Sequence, residues 1–159
     1  MIFVTLGSQK FQFNRLLREI DNLIEKKVIN QKVIAQIGYS DYKPKFFEYE
    51  MFMDREQHLS LINNSNIVIS HGGTGAIINA IKKDKKVIAV PRLEMYGEHV
   101  DDHQLQIVKQ FSDMNLICGC TELSELGELC INIGNQTFKK YYSNTKVVLE
   151  SIENFIENL

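Results

Sequence analysis

Several residue types are scarce in this sequence. It contains no tryptophan, two prolines and three cysteines in 159 residues. The cysteines are odd in number and irregular in spacing, so the sequence excludes a regular disulfide framework and predicts reduced thiols in a cytoplasmic protein. No apolar run approaches the roughly 20 residues of a membrane-spanning helix. The formal net charge of −2 gives no support for nucleic-acid binding.

The remaining composition is that of an ordinary globular domain, with 44% hydrophobic and 24% charged residues. Lysines nevertheless cluster at residues 82–86. Such a run is typical of a solvated helix end, and it is also compatible with a contact to anionic lipid or to an acidic partner.

Short apolar runs alternate with helix-like segments along the whole chain. This alternation predicts an α/β fold, a single Rossmann-like domain over residues 1–159 with a mostly parallel sheet and helices on both faces. Strands are expected at residues 2–6, 32–37, 46–53, 66–70, 86–90 and 116–118. Helices are expected at residues 13–28, 56–64, 74–83, 99–111, 123–130 and 144–159.

A glycine-rich turn at residues 70–75, with the sequence SHGGTG, joins the strand at 66–70 to the next helix. Glycines let the backbone bend tightly and approach a ligand closely. The free N–H groups and the dipole of the helix start then favour an anion, so the turn suits a diphosphate.

Polar loops follow three other predicted strands, at residues 7–9, 38–40 and 92–104. The last of these loops contains the polar sequence EHVDDHQ at residues 98–104. Because ligands of parallel α/β sheets bind at the carboxyl ends of the strands, these loops and the glycine-rich turn predict one shared site.

Taken in order, the motifs at residues 52–54, 67–75, 87–92 and 98–104 resemble the carboxyl-terminal half of GT-B glycosyltransferases, the glycosyltransferase 28 C-terminal domain. Within that group the chain is similar to the soluble subunit of the eukaryotic dolichol-linked UDP-N-acetylglucosamine transferase. The sequence GSQKF at residues 7–11 is also similar to bacterial PssE-type subunits of exopolysaccharide and capsule synthesis.

The resemblance implies a UDP-sugar donor, with uracil at Phe52 and Met53. It implies diphosphate contacts in the turns near residues 7 and 72, and donor-sugar contacts near residue 103. Asn79 stands where many relatives have a ribose-binding glutamate, and an amide lacks the strength of a charged acceptor. The donor-binding set implied in this way comprises Gly7, Ser8, Gln9, Phe52, Met53, His71, Gly72, Gly73, Thr74, Asn79, Glu98, Asp102, His103 and Gln104.

The histidines His71 and His103 are the candidate catalytic residues, although no base is assigned. A protonated His71 would neutralise the departing diphosphate, or it would only cap the turn through hydrogen bonds. His99 and His103 are spaced for one helix face, but we predict no metal site and no cofactor other than the UDP-sugar substrate. Arg92 is expected to contact a phosphate or a partner subunit. A loop at Tyr96 and Gly97 is expected to be mobile over the donor.

A GT-B active site lies between two domains, and this sequence has room for one. The resemblance therefore implies the donor-binding subunit of a two-part inverting transferase that moves a hexose from a UDP-sugar to a lipid-diphosphate-linked saccharide in exopolysaccharide or capsule synthesis. The implied partner is a membrane-attached PssD-like subunit, which binds the acceptor and recruits this cytoplasmic chain to the inner face of the cell membrane. The alternative is a non-catalytic subunit that enhances a partner transferase. The last predicted helix either packs on its own sheet or crosses to the partner.

Overall fold

The computed structural model describes residues 1–143 together with Leu149 and Ile156. The strands are β1 (Ile2–Thr5), β2 (Val33–Gln36), β3 (Glu48–Glu50), β4 (Ile67–His71), β5 (Lys86–Val90) and β6 (Cys118–Gly119). The helices are α1 (Asn14–Glu25), α2 (Arg55–Asn64), α3 (Thr74–Ile81), α4 (His103–Asp113) and α5 (Leu126–Asn132). Short 3-10 turns span Glu94–Tyr96, Leu123–Glu125 and Ile133–Asn135.

The strands form one six-stranded sheet in the order β3-β2-β1-β4-β5-β6, and every neighbouring pair is parallel. This arrangement confirms the predicted α/β fold. The direction of winding reverses between β1 and β4, where Val4 is in register with Ile69. Loops leave the sheet in opposite directions at such a reversal, which opens a crevice at the carboxyl ends of the two strands.

Both faces of the sheet are covered, as parallel strands require. One core contains Ile2, Val4 and Ile69 from the central strands, packed with Leu16 and Ile20 of α1. The other core contains Val68 and Val87 of the sheet, with Ile77 and Ala80 of α3 and Val108 of α4. Alternate residues of β4 therefore point to opposite cores, and α3 and α4 are both fixed against the sheet.

The sequence predicts that helix α4 begins at His99, but in the structure it begins at His103. The preceding residues instead fold back as a loop, in which the backbone N–H of Glu94 donates to Asp102 Oδ1 at 2.8 Å and that of Leu93 donates to Glu98 Oε2 at 3.1 Å. These side-chain acceptors compete with a helical ladder, so the helix begins only after them.

The edge strand β3 is also shorter than the expected 46–53. Asp21 accepts the backbone N–H groups of Lys45 at 2.8 Å and Phe46 at 3.0 Å, which removes that end of the segment from the ladder.

At the lysine cluster of residues 82–86, Nζ of Lys85 donates to the Asn63 carbonyl and Nζ of Lys86 donates to the Ile133 carbonyl. Those two lysines therefore bind carbonyls at the carboxyl ends of helices α2 and α5.

The helix predicted over residues 144–159 lies outside the described residues, apart from Leu149 and Ile156. Among the residues that the structure does describe, no helix is both long and apolar enough to cross a membrane.

Candidate functional site

A cleft of about 700 Å³ lies at the carboxyl edge of the sheet, over the crevice between β1 and β4. Four other surface hollows of the described chain hold about 330–410 Å³ each. The cleft brings together many of the predicted donor-binding residues, namely Gly7, Ser8, Gln9, Met53, His71, Gly73, Thr74 and Asn79. It is also lined by Thr5, Gln36, Asp54, Arg55, His58, Leu59, Gly75 and Ala76.

His71 fills the space between the two glycine turns. A Cβ atom on Gly7 would lie 2.8 Å from His71 Cε1, and one on Gly73 would lie 2.4 Å from His71 Nε2. Gly7 also has a φ of +71°, which few other residues adopt. These two positions need glycine because the imidazole occupies the room that a side chain would take.

The His71 ring is neutral at pH 7. Its Nδ1 lies 3.3 Å from the Thr5 carbonyl oxygen, so Nδ1 carries the proton and Nε2 carries the lone pair. Burial, together with the nearby Arg92 charge, lowers the pKa of His71 to about 4. The neutral imidazole fits the hydrogen-bonding alternative, and a protonated His71 beside a departing diphosphate stays a prediction.

The start of α3 supplies hydrogen-bond donors to the cleft. Gly73 is the N-cap residue and provides no side-chain cap. The first-turn residues Thr74, Gly75 and Ala76 all line the cleft. Their N–H groups lie before the first helical donor, the Ile77 N–H that bonds to the Gly73 carbonyl, so the helix itself offers them no acceptor. Arg55, at the start of α2, also lines the cleft and carries a positive charge. This donor set suits an anionic ligand such as a diphosphate.

The floor of the cleft is polar, and its residues are not among those predicted from the sequence. His58 Nε2 lies 3.1 Å from Thr5 Oγ1, and burial lowers the pKa of His58. Gln36 Nε2 donates to the Gly7 carbonyl at 3.3 Å. Thr5 and Gln36 are polar residues at the ends of apolar strands, and that signal was available in the sequence. His58 had no such signal, because its position depends on how α2 packs.

Two predicted residues lie just outside the cleft. Phe52 is exposed beside Met53 and packs edge-to-face with Tyr39, with the ring centroids 5.1 Å apart. Gly72 is buried beneath the glycine-rich turn. A Cβ atom on Gly72 would lie 2.9 Å from Gln104 Cβ, so this glycine permits close packing of the turn on α4 rather than contact with a ligand.

Gln104 does not line the cleft and instead connects two loops. Its Oε1 accepts the backbone N–H of Gly72 at 3.1 Å and that of Arg92 at 3.0 Å. The side chain is buried, so its carbonyl is committed to the protein. The prediction of a donor-sugar contact through this oxygen does not fit the structure.

Glu98, Asp102 and His103 also lie away from the cleft lining. The Glu98 carboxylate is buried and accepts the Nε–H of Arg15 at 2.7 and 2.9 Å. Asp102 accepts a backbone N–H within its own loop, and the exposed His103 donates its backbone N–H to Asp101 Oδ1 at 3.0 Å. The predicted sugar-facing cluster is absent from the described cleft because residues 93–102 fold back on themselves.

Three further expectations are corrected by the same loop. Arg92 is 1% exposed and donates to main-chain carbonyls, so it can contact neither a phosphate nor a partner. Tyr96 does not line the cleft: its carbonyl accepts from Gln12 Nε2 at 2.9 Å, and the Arg15 guanidinium lies 4.9 Å from its ring centroid. His99 packs on Phe11 before α4 begins, so it does not share a helix face with His103.

The model of the glycosyltransferase family 28 C-terminal domain matches residues 1–159 of the chain. The chain belongs to this family. Membership confirms the resemblance drawn from the ordered motifs, and it accounts for a cleft at the carboxyl edge of a Rossmann-like sheet.

Curated relatives of this family 28 domain are named UDP-N-acetylglucosamine transferase subunit ALG13. The protein from Debaryomyces hansenii is 27% identical over 139 residues, which are 85% of this chain and 66% of the relative. The protein from Candida albicans is 30% identical over 82 residues, which are 52% of this chain and 26% of the relative. The human protein is 28% identical over 128 residues, or 76% of this chain and 11% of the relative. The chain thus spans less than two thirds of these relatives.

Solved structures support the same fold for the family 28 domain. The NMR structure of ALG13 has a TM-score of 0.58 at 17% identity, covering 95% of this chain and 93% of that one. The kitacinnamycin glycotransferase has a TM-score of 0.65 at 13% identity, covering 85% of this chain and 35% of that one. Acinetobacter baumannii MurG has a TM-score of 0.57 at 16% identity, covering 83% and 41%.

Proposed function

We propose that this chain is the donor-binding, catalytic subunit of a two-part glycosyltransferase that uses a UDP-sugar. The observation that carries the proposal is the cleft, in which the turn after β1, the glycine-rich turn and the start of α2 meet at the winding reversal of the sheet. Family membership and relatives that are named transferase subunits support it.

In this proposal the diphosphate lies at the start of α3. The N–H groups of Thr74, Gly75 and Ala76 and the helix dipole stabilise its negative charge, and they stabilise it further as UDP departs. Arg55 supplies a permanent positive charge in the same cleft. Met53 lies at the uracil end, and the exposed amide of Asn79 is placed for the ribose hydroxyls.

The proposed reaction is a single displacement with inversion. The acceptor hydroxyl oxygen forms a bond to the anomeric carbon while the bond from that carbon to the β-phosphate oxygen of UDP breaks. The hydroxyl proton passes to a base, which we assign to the partner subunit because His71, whose pKa is lowered to about 4 by burial and by the Arg92 charge, is a weak base.

The names of the curated relatives favour UDP-N-acetylglucosamine as the first donor to test. The proposed acceptor is a lipid-diphosphate-linked saccharide held by a membrane-attached, PssD-like partner that brings this chain to the inner face of the membrane. A hexose donor and a place in exopolysaccharide or capsule synthesis remain predictions from the sequence resemblance.

The second candidate is a non-catalytic subunit that enhances a partner transferase. Asn79 favours it, because this exposed amide lines the cleft where many relatives have a carboxylate. Asn79→Glu separates the two candidates when it is assayed in the co-expressed complex. If the cleft is the catalytic donor site, the rate of sugar transfer by the complex changes with this substitution. If the chain is a helper subunit, the rate stays the same.

The test of the proposed function is to measure UDP binding to the purified chain by ligand-detected NMR. Gly73→Val is expected to abolish binding because the new side chain collides with His71 Nε2 in the cleft. Gly134→Ala is the matched control, since a Cβ atom there meets nothing within 4 Å.

Binding by the parent chain and the control, but not by Gly73→Val, would place the nucleotide in the cleft. If neither the chain nor its co-expressed complex with the PssD-like subunit binds UDP at millimolar concentration, the proposed function is wrong. Robust transfer by the chain alone would contradict the two-subunit arrangement.

A further inference from the structure

The turn after β1, residues 7–10, forms one wall of the cleft through Gly7, Ser8 and Gln9. Its first residue, Gly7, has a positive φ of 71°. The side chain of Gln36 holds the Gly7 carbonyl, and the Phe11 N–H donates to the Gln9 carbonyl at 2.8 Å. These bonds leave the carbonyls of Leu6 and Phe11, at the two ends of the turn, to be held by another group.

Arg92 holds both ends of the turn. Its Nη2 donates to the Leu6 carbonyl at 2.6 Å, and its Nη1 donates to the Phe11 carbonyl at 2.8 Å. The planar guanidinium spans the two carbonyls as a rigid fork, which a lysine ammonium cannot do. One side chain at the end of β5 therefore fixes the entry and the exit of the cleft turn.

A second layer of charged groups keeps this guanidinium in place. The Glu98 carbonyl accepts from Arg92 Nη1 at 3.3 Å, while the Glu98 carboxylate pairs with Arg15. Both arginines lie near the buried Phe13 ring, with the Cζ of Arg15 5.1 Å and that of Arg92 5.2 Å from its centroid. Burying a charged fork is costly unless its hydrogen bonds are made. Both terminal nitrogens of Arg92 make them, whereas its buried Nε has no hydrogen-bond partner among the described residues.

Arg92 cannot itself be a ligand contact. It is 1% exposed, and both terminal nitrogens are committed to main-chain oxygens. Glu98 is likewise 1% exposed. Residues that the sequence marks as polar loop positions at the site therefore act behind the cleft wall rather than on its surface.

We propose that Arg92 is a positioning residue for nucleotide binding, which clamps the Leu6 and Phe11 carbonyls so that residues 7–9 keep their ligand-binding shape. This inference rests on the proposed function, since it concerns the affinity of the same cleft. Preorganised loops bind more tightly because the ordering cost is met before the ligand arrives.

The test compares UDP affinity and amide hydrogen exchange in Arg92→Lys, Glu98→Gln and the parent chain, at a temperature where each is fully folded by circular dichroism. Arg92→Lys is expected to weaken UDP binding about tenfold, the equivalent of one charge-assisted hydrogen bond. The exchange of the amides of residues 7–11 is expected to rise while that of the sheet amides stays the same. Glu98→Gln is expected to weaken UDP binding and to raise the exchange of the same amides, each by less than Arg92→Lys does.

Asp21→Asn is the matched control. Asp21 is also a buried carboxylate that holds a loop, since it accepts the Tyr42 hydroxyl at 2.7 Å and two backbone N–H groups. This variant is expected to lose stability while keeping the UDP affinity of the parent. It therefore separates a loss of positioning from a general loss of stability.

Unchanged UDP affinity in folded Arg92→Lys would overturn the inference while leaving the proposed function intact. If Arg92→Lys does not fold, Glu98→Gln decides instead, and parental affinity together with parental exchange at residues 7–11 would overturn the inference. A parent chain and complex that bind no UDP would overturn the proposed function, and the inference with it.

Discussion

At the scale of single residues, His71 shows how one side chain can determine its neighbours. Its ring sits between Gly7 and Gly73, and its Nδ1 proton is held by the Thr5 carbonyl. The glycines are thus required as much by the imidazole as by any ligand. Because the ring is buried beside a cationic guanidinium, its neutral form is strongly preferred in the folded chain.

This preference predicts a pH-dependent stability. The pKa of His71 is about 4 in the folded chain against an ordinary 6.5, so between these values the unfolded chain binds more protons. The titration of His71 is expected to lower the free energy of unfolding by about 2 kcal/mol when the pH falls from 7 to 5. Urea denaturation at the two pH values measures this difference.

His71→Asn is the control, since its amide keeps an N–H donor for the Thr5 carbonyl but does not titrate. The variant should lose about 2 kcal/mol less stability than the parent over the same pH interval. His58, whose pKa is also lowered by burial, adds a smaller effect of the same sign in both proteins. An identical pH dependence in the two would contradict the prediction.

At the scale of elements, α2 forms the wall of the cleft that carries Arg55 and His58. Its N-cap is Asp54, whose carboxylate accepts the Gln57 N–H at 2.8 Å. An acceptor at this position satisfies one of the N–H groups that a helix start leaves unpaired. The cap therefore stabilises the first turn of the helix that carries both cleft residues.

Removing this cap is expected to destabilise the chain. Asp54→Ala should lower the free energy of unfolding by about 1 kcal/mol, as measured by urea denaturation, because the Gln57 N–H loses its partner. Asp54→Asn keeps a capping oxygen and should stay within about 0.5 kcal/mol of the parent. Equal losses in the two variants would show that charge, rather than capping, is what matters at this position.

The order and type of the elements could be predicted from apolar runs and turn residues, as could the glycine-rich turn over β4. The loop after β5 could not. Arg92, Glu98 and Gln104 have the composition of a ligand site, and only the three-dimensional partners reveal that they hold main-chain groups and Arg15. In the same way, His58 reaches the cleft through the packing of α2, which no local pattern reports.

At the scale of the whole molecule, stability is concentrated in the central strands. Ile69 of β4 is fully buried among residues of β1, β5 and α1, whereas Ile131 on α5 is 62% exposed. Loss of a buried aliphatic side chain removes its transfer free energy and leaves a cavity. The same chemical change therefore has very different effects at the two positions.

Ile69→Ala is expected to lower the free energy of unfolding by about 3 kcal/mol. Ile131→Ala should change it by less than about 0.5 kcal/mol. Both variants are measured by urea denaturation, with one common slope of unfolding free energy against urea concentration. Similar losses at the two positions would contradict the assignment of the core to the centre of the sheet.

The position of β1 also has a consequence for how the chain is made. Within this domain β1 is synthesised before the two strands that it pairs with, β2 through Ile2 and Val33 and β4 through Ile2 and Ile67. During translation, the apolar side chains of Ile2, Phe3 and Val4 therefore stay exposed until the partner strands β2 and β4 have been synthesised. Parallel pairings of such sequence separation form slowly. The newly made chain is thus most vulnerable to aggregation before residue 71 emerges, and slower growth at low temperature should raise its soluble yield.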